Sequence, residues 1–383
     1  MPKINLTRRQ FLKASGASLF LAGIPLPGFT KDKPPGTISV ILLEGGMDGL
    51  AAVPPFGDPN LSKMRKNLVP ENYLKLNSFF GLHPSFKYFS GLMAKNNASV
   101  VHATNFPYKK RSHFEGQNLM EGGGLLPFSE TTGWLGRALD LAKTPGRSMS
   151  LNMPLILRGA SENDNFFPAS IRKSGSLNTE LIDMISMAHA KEGANIFGKV
   201  SKKSMQEDSV VPRDPASLAK FAGKAMAKDG GPLSSVIKVD QFDTHAAQGA
   251  DEFGRHGERM SIVDDIMAGY KEGLGDAWDR SIILTLTEFG RTVKENGTWG
   301  TDHGWGSVGM LAGGTIKKSR VISQWPGLAE RDLFEQRDLV STIDYRSVCA
   351  ACIENALGLD HDLIAEKVFF TPGLPRVYDY IFS

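Results

Sequence analysis

Thr37-Ile38-Ser39-Val40-Ile41-Leu42-Leu43 runs directly into Glu44-Gly45-Gly46-Met47-Asp48-Gly49. The first seven residues are apolar or β-branched almost throughout, with no alternating polar face. Such a run suits a strand buried on both sides in a parallel sheet. Three more runs read the same way: Ser99–His102, Ser235–Val239 and Ser281–Thr287. Helical spacing lies between and after them, over 85–95, 178–191, 215–228, 257–272 and 343–357. Asp214-Pro215 supplies an N-cap and an N1 proline for the third of these. Strands separated by helices predict an α/β fold with a mainly parallel sheet. The polar stretch 192–214 reads as a surface loop or the edge of an inserted cap. The expected domain is 36–383.

The N-terminal segment has a different character. Thr7-Arg8-Arg9-Gln10-Phe11-Leu12-Lys13 precedes an apolar stretch from Ala14 to Ile24. A basic segment followed by a short apolar one is an export signal, too short for a stable bilayer span. The paired arginines resemble a twin-arginine signal, so residues 1–30 are expected to address the chain to a bacterial periplasm or beyond through the twin-arginine translocase. The formal net charge of the 383-residue chain is +3. Residues 1–28 carry Lys3, Arg8, Arg9 and Lys13 and no acid, so removing those four charges leaves −1 for the rest. That balance, without a basic stripe interleaved with aromatics, argues against nucleic acid. The chain has two cysteines, Cys349 and Cys352. They share the apolar face of a helical pattern, which favours core packing over a redox pair.

Ligand sites in open α/β sheets lie beyond the carboxyl ends of the strands. The first strand is followed by Asp48. The second leads to Lys109-Lys110-Arg111-Ser112-His113-Phe114-Glu115, and the third to Asp243-Thr244-His245. The fourth leads to Glu288-Phe289-Gly290-Arg291 and then Asp302-His303 in a glycine-rich loop. Each piece has a bland alternative. Asp48-Gly49 is a common turn pair. Ser112 and Glu115 fit a capping box. Arg291 could neutralise Glu288 at the strand end. Asp243 and His245, two apart, point the same way on an extended segment. Taken together, carboxylates with neutral imidazoles suit a divalent ion such as Zn²⁺, Mn²⁺ or Mg²⁺. A hydroxyl opening a helix suits a nucleophile.

Several segments carry a resemblance in order: Leu42–Leu50, Gly81–Pro84, Arg111–Glu115, Thr132–Arg137, Phe242–His245, Thr287–Thr292, Asn296–Thr298, Gly300–Gly304 and Thr342–Arg346. They resemble the "domain of unknown function 1501" family of exported bacterial proteins over about 37–375. That family is distantly similar to the alkaline phosphatase and sulfatase superfamily. The resemblance implies a three-layer α/β/α sandwich with a metal site at the strand ends. It implies Asp48, Asp243, His245, Glu288 and His303 as metal ligands and Ser112 as nucleophile. Asp302 joins the expected ligands as the neighbour of His303. Arg111 and Arg291 are the expected holders of an anionic group, by their fork geometry. The sulfatase motif C-x-P-x-R and the phosphatase motif D-x-S-A are absent, and Phe289 stands where the superfamily has a histidine.

Two functions are expected from this. The first is an exported, metal-dependent hydrolase of phosphate or sulfate esters, acting on an anionic small molecule or polysaccharide. The second is a non-catalytic periplasmic protein on the same scaffold, binding or assembling envelope material.

Overall fold

A computed structural model describes residues 35–150, 152–165 and 214–383. The expected export signal, the helical pattern at 178–191 and all but the last residue of the 192–214 segment lie outside these residues. The described residues from Gly36 to Ser383 form one unit.

The opening run is β1, Thr37–Leu43, and every residue of it is buried. The other strands of the main sheet are β2 (Ala98–Asn105), β3 (Gly146–Ser148), β4 (Asn163–Asn165), β5 (Ser234–Val239), β6 (Ser281–Thr287), β7 (Ser307–Ala312), β8 (Val321–Ile322) and β9 (Ile343–Asp344). They form one nine-stranded sheet in the order β8-β2-β7-β6-β1-β5-β3-β4, with β9 also pairing with β2. Strand β1 lies at the centre, parallel to β5 and β6. Strand β7 is antiparallel to both β2 and β6, and the other pairings are parallel.

Burial on both sides explains the unbroken apolar run. Ile38, Val40 and Leu42 pack against α3 (Trp134–Leu141) and α6 (Tyr345–Leu357), among Trp134, Leu135, Cys349 and Ile353. Ile41 and Leu43 point the other way, toward α1 (Lys87–Ala94), α4 (Pro215–Met226) and α5 (Arg255–Leu274), among Phe89, Leu92, Ala219 and Met260. Each such side chain removed from water contributes about 1.5–3 kcal/mol before chain entropy is counted. Helix α2 (His113–Gly122) contributes Met120 to the first of these layers. The result is a three-layer α/β/α sandwich.

The helix ends follow local rules in some places and distant help in others. Asp214 caps α4 through Ser217 N at 2.8 Å, with Pro215 at N1. Helix α1 has no capping side chain of its own. Asp264 of α5 serves instead, accepting from Tyr88 N at 2.7 Å and Phe89 N at 2.8 Å. Cys349 and Cys352 are free thiols in the core of α6, and burial pushes both well above the usual thiol range.

Candidate metal centre

The site forms where three connections meet at one edge of the sheet. The β5 end leads to Asp243 and His245, the loop after β2 leads to His113 at the start of α2, and the β6–β7 connection carries Glu288, Arg291, Asp302 and His303. Because β7 runs antiparallel beside β6, that connection begins and ends at the same edge. This is why His303, far from Glu288 along the loop, returns to the site.

Close backbone approach makes the edge compact. Gly45 has φ +115, and a Cβ there would lie 2.5 Å from Asp243 N. Only glycine tolerates both the conformation and the contact. Gly45 N donates to Glu288 Oε1 at 2.8 Å.

Three imidazoles converge through their Nε2 atoms. His113 Nε2 lies 3.0 Å from His303 Nε2, and His245 Nε2 lies 3.0 Å from the same atom. Asp243 Oδ1 lies 3.1 Å from His303 Nε2 and 3.0 Å from His245 Nε2. Asp243 Oδ2 lies 3.4 Å from His113 Nε2. Among the described residues, His113, Asp243 and His303 each offer a ligand atom within 4.8 Å of the others.

The opposite ring nitrogens face oxygen acceptors. His113 Nδ1 meets Glu288 Oε1 at 2.8 Å, His245 Nδ1 meets Asp302 Oδ1 at 2.9 Å, and His303 Nδ1 meets the Arg111 carbonyl at 2.9 Å. An acceptor oxygen requires the proton on Nδ1, which leaves the Nε2 lone pairs aimed inward. Imidazoles whose outer N–H is held by a carboxylate or carbonyl are the usual arrangement around a metal. Nitrogens bonded to one zinc at about 2.0–2.1 Å would sit roughly 3.3 Å apart in a tetrahedron. The residues therefore fit a divalent cation.

Electrostatics agree with the geometry. A hydrogen bond to Glu288 raises the His113 pKa above its ordinary value, against the effect of burial. Burial lowers that of His303. Burial works against the Asp243 charge, but the hydrogen bond and charge of Arg291 outweigh it and hold the carboxyl below its usual value. The hydrogen bond from His245 does the same for Asp302.

Several expected residues have other jobs. Asp48 is fully buried, and its carboxylate is filled by Arg65 Nη1 at 2.6 Å, Gln248 Nε2 at 2.7 Å and the N–H groups of Leu50 and Ala51. Burial alone would raise its pKa, yet Arg65 holds it at about 2. Asp48 is thus an ion-paired N-cap and not an open ligand. Glu288 and Asp302 stand behind His113 and His245 instead of facing the centre. Glu288 Oε1 also accepts from Gln117 Nε2 at 3.2 Å.

Arg291 is buried and pairs with Asp243, at 2.7 Å, instead of Glu288. Its remaining donors reach Thr301 Oγ1, the Thr301 carbonyl and the Gly45 carbonyl. Arg111 is neutralised by Asp338 at 2.7 Å and Glu335 at 2.5 Å. Arg291 is thus closed off in the interior, while Arg111, 26% exposed, already carries two carboxylates. Ser112 precedes α2, but its side chain makes no cap bond, and Glu115 accepts from Tyr108 Oη at 3.0 Å, so the capping box does not form.

His113 is the member that sequence reasoning missed. Its signal lies in Arg111-Ser112-His113, where the neighbouring hydroxyl and the capping pattern mask it.

A family model described as "Protein of unknown function (DUF1501)" matches residues 99–368. The chain belongs to that family. No curated protein matches this DUF1501 chain in sequence. Solved structures resemble it weakly and at low identity. The C-terminal periplasmic domain of EcEptC from Escherichia coli matches with a TM-score of 0.40 at 11% identity, over 91% of this chain and 89% of that one. PsFucS1 sulfatase from Pseudoalteromonas sp. matches at 0.37 and 11%, over 99% and 77%. A protein in the alkaline phosphatase superfamily from Vibrio parahaemolyticus matches at 0.38 and 10%, over 76% and 63%. No helix among the described residues is long and apolar enough to cross a membrane.

Proposed function

We propose that this DUF1501 protein is a metal-dependent hydrolase of phosphate or sulfate esters. The convergence of three Nε2 atoms on Asp243, each ring tied from behind, carries the reading. His113, Asp243, His245 and His303 would hold the ion, and the nitrogen-rich set favours Zn²⁺ over Mg²⁺. A bound divalent ion supplies positive charge where a transferred phosphoryl or sulfuryl group develops negative charge. The protein's own part is to hold the imidazoles in one tautomer and to keep Asp243 ionised through Arg291. Ser112 is the proposed nucleophile. It adjoins His113, its hydroxyl is not engaged in capping, and the α2 N-terminus favours negative charge. With Arg111 and Arg291 both ion-paired, charge on the ester falls to the ion and the helix terminus.

The segment from Arg8 to Ile24 supports export through the twin-arginine translocase to the periplasm. The substrate is an anionic small-molecule or polysaccharide ester. Aryl phosphates and aryl sulfates, assayed with Zn²⁺- or Mn²⁺-loaded protein beside S112A and H303A, test the reaction. Turnover lost in both variants supports it. Metal binding without turnover of either ester class makes the protein a binding module on the same scaffold.

A further inference from the structure

The buried acid at the end of the first strand has no place in that mechanism, yet it is wired to the centre. Arg291 holds Asp243 through Nη1 and donates from Nε to Thr301 Oγ1 at 3.1 Å. Thr301 Oγ1 donates to Gln248 Oε1 at 2.7 Å, and Gln248 Nε2 donates to Asp48 Oδ2 at 2.7 Å. A second branch returns from Asp48. Its backbone N–H meets His256 Nε2 at 3.1 Å, His256 Nδ1 meets Thr244 Oγ1 at 3.3 Å, and Thr244 Oγ1 donates to Gln248 Oε1 at 3.0 Å. Donor and acceptor roles agree at every joint when His256 is neutral with its proton on Nδ1. Arg65 closes the network, donating to Asp48 and to the carbonyls of Val293 at 2.8 Å and Thr292 at 2.7 Å.

The network thus ties together the loop after β1, the loop carrying Asp243 and His245, and the connection carrying Arg291 and His303. Asp48, Gln248, His256, Arg65, Thr244 and Thr301 are all buried. In a low-dielectric interior a fully satisfied network of this kind is rigid, and a broken one is costly.

We propose that Asp48 is a positioning residue that orders the metal centre through Gln248, Thr301 and Arg291, and that the centre holds a single ion. The inference rests on the metal reading above. Arg65 and Gln248 both donate to Asp48 Oδ2 and the N–H groups of Leu50 and Ala51 to Oδ1, so the carboxylate already has its donors and the Arg65 guanidinium is the positive charge beside it.

Metal-free protein titrated with Zn²⁺ tests this, with stoichiometry read by native mass spectrometry and affinity by calorimetry. The variants are D48N, T301V and T301S, each checked for folding by circular dichroism. A single ion is expected in the wild type and in every folded variant. Affinity is expected to fall about 10–100-fold in T301V, the range seen when partners behind metal ligands are lost, and to recover in T301S, which keeps the hydroxyl. D48N strips Arg65 of its buried partner, so the threonine pair carries the test if that variant does not fold. Two ions in the wild type, one of them lost in D48N, would overturn the inference, as would T301V binding as tightly as wild type. A wild type that binds no Zn²⁺ refutes the metal reading itself, a separate result.

Discussion

His113 Nε2 faces His303 Nε2 at 3.0 Å while both Nδ1 atoms face oxygen acceptors. Two neutral rings so arranged present lone pair to lone pair and cannot hydrogen-bond to each other. Either a proton or a cation must sit between them. This fixes a pH dependence for the metal-free protein. Hydrogen bonding to Glu288 raises the folded pKa of His113 above the ordinary value of 6.5. The stabilisation is then fully present below that ordinary value and is lost as pH rises through the folded pKa. The melting temperature after chelation is expected to fall across this window. Loading with Zn²⁺ should suppress the fall, because the ion replaces the proton. E288Q should flatten the profile of the metal-free protein. A chelated wild type with a flat profile contradicts the arrangement.

Loss of the oxygen behind a ligand should weaken the ligand. E288Q removes the charge behind His113, and D302N the charge behind His245. Each is expected to lower Zn²⁺ affinity by about 10–100-fold, measured by competition with a chromophoric chelator. Affinity unchanged in both variants would mean that these carboxylates serve only to close the loops.

The Arg65–Asp48 pair is buried at both ends, with 0% and 1% side-chain exposure respectively. R65M leaves an uncompensated charge in the interior and should cost about 3–5 kcal/mol in urea unfolding. Asp48 has a folded pKa of about 2 against an ordinary 3.8. Its contribution is therefore present above the ordinary value and disappears as pH falls through the folded one. Acid unfolding of the wild type should steepen between those limits, and D48N should lack that component.

Helix α1 depends on an acid from another helix. D264A leaves the N–H groups of Tyr88 and Phe89 without their acceptor and should cost about 1 kcal/mol or somewhat more, as other lost caps do. Hydrogen exchange localised to Tyr88 and Phe89 distinguishes this from a general loss of stability.

Much of the fold was legible in the sequence, for reasons that also explain what was not. Strands β1 and β6 have the expected bounds, because both faces of each are buried and the apolar run ends where burial ends. Strand β7 was hidden inside Ser307–Ala312, behind a glycine-rich loop, and β3, β4, β8 and β9 are three residues long or shorter. Strands that short leave no periodicity to read. In the site, Asp243, His245 and His303 come together as their strand-end positions suggested. The sequence did not distinguish a residue facing the centre from one a step behind it. Glu288, Asp302, Arg291 and Arg111 have the chemistry of a site, but their roles depend on which acceptor each meets across the fold. Asp48 shows the same limit most clearly, since its partners Arg65, Gln248 and His256 lie far from it in sequence.

Anomalous diffraction at the zinc edge, on crystals of the protein grown with Zn²⁺, tests the central claim most directly. The account predicts one strong peak about 2.0–2.2 Å from the Nε2 atoms of His113, His245 and His303 and from an Asp243 oxygen, and no peak beside Asp48. No peak among the three histidines, or a peak coordinated by Asp48, would contradict it.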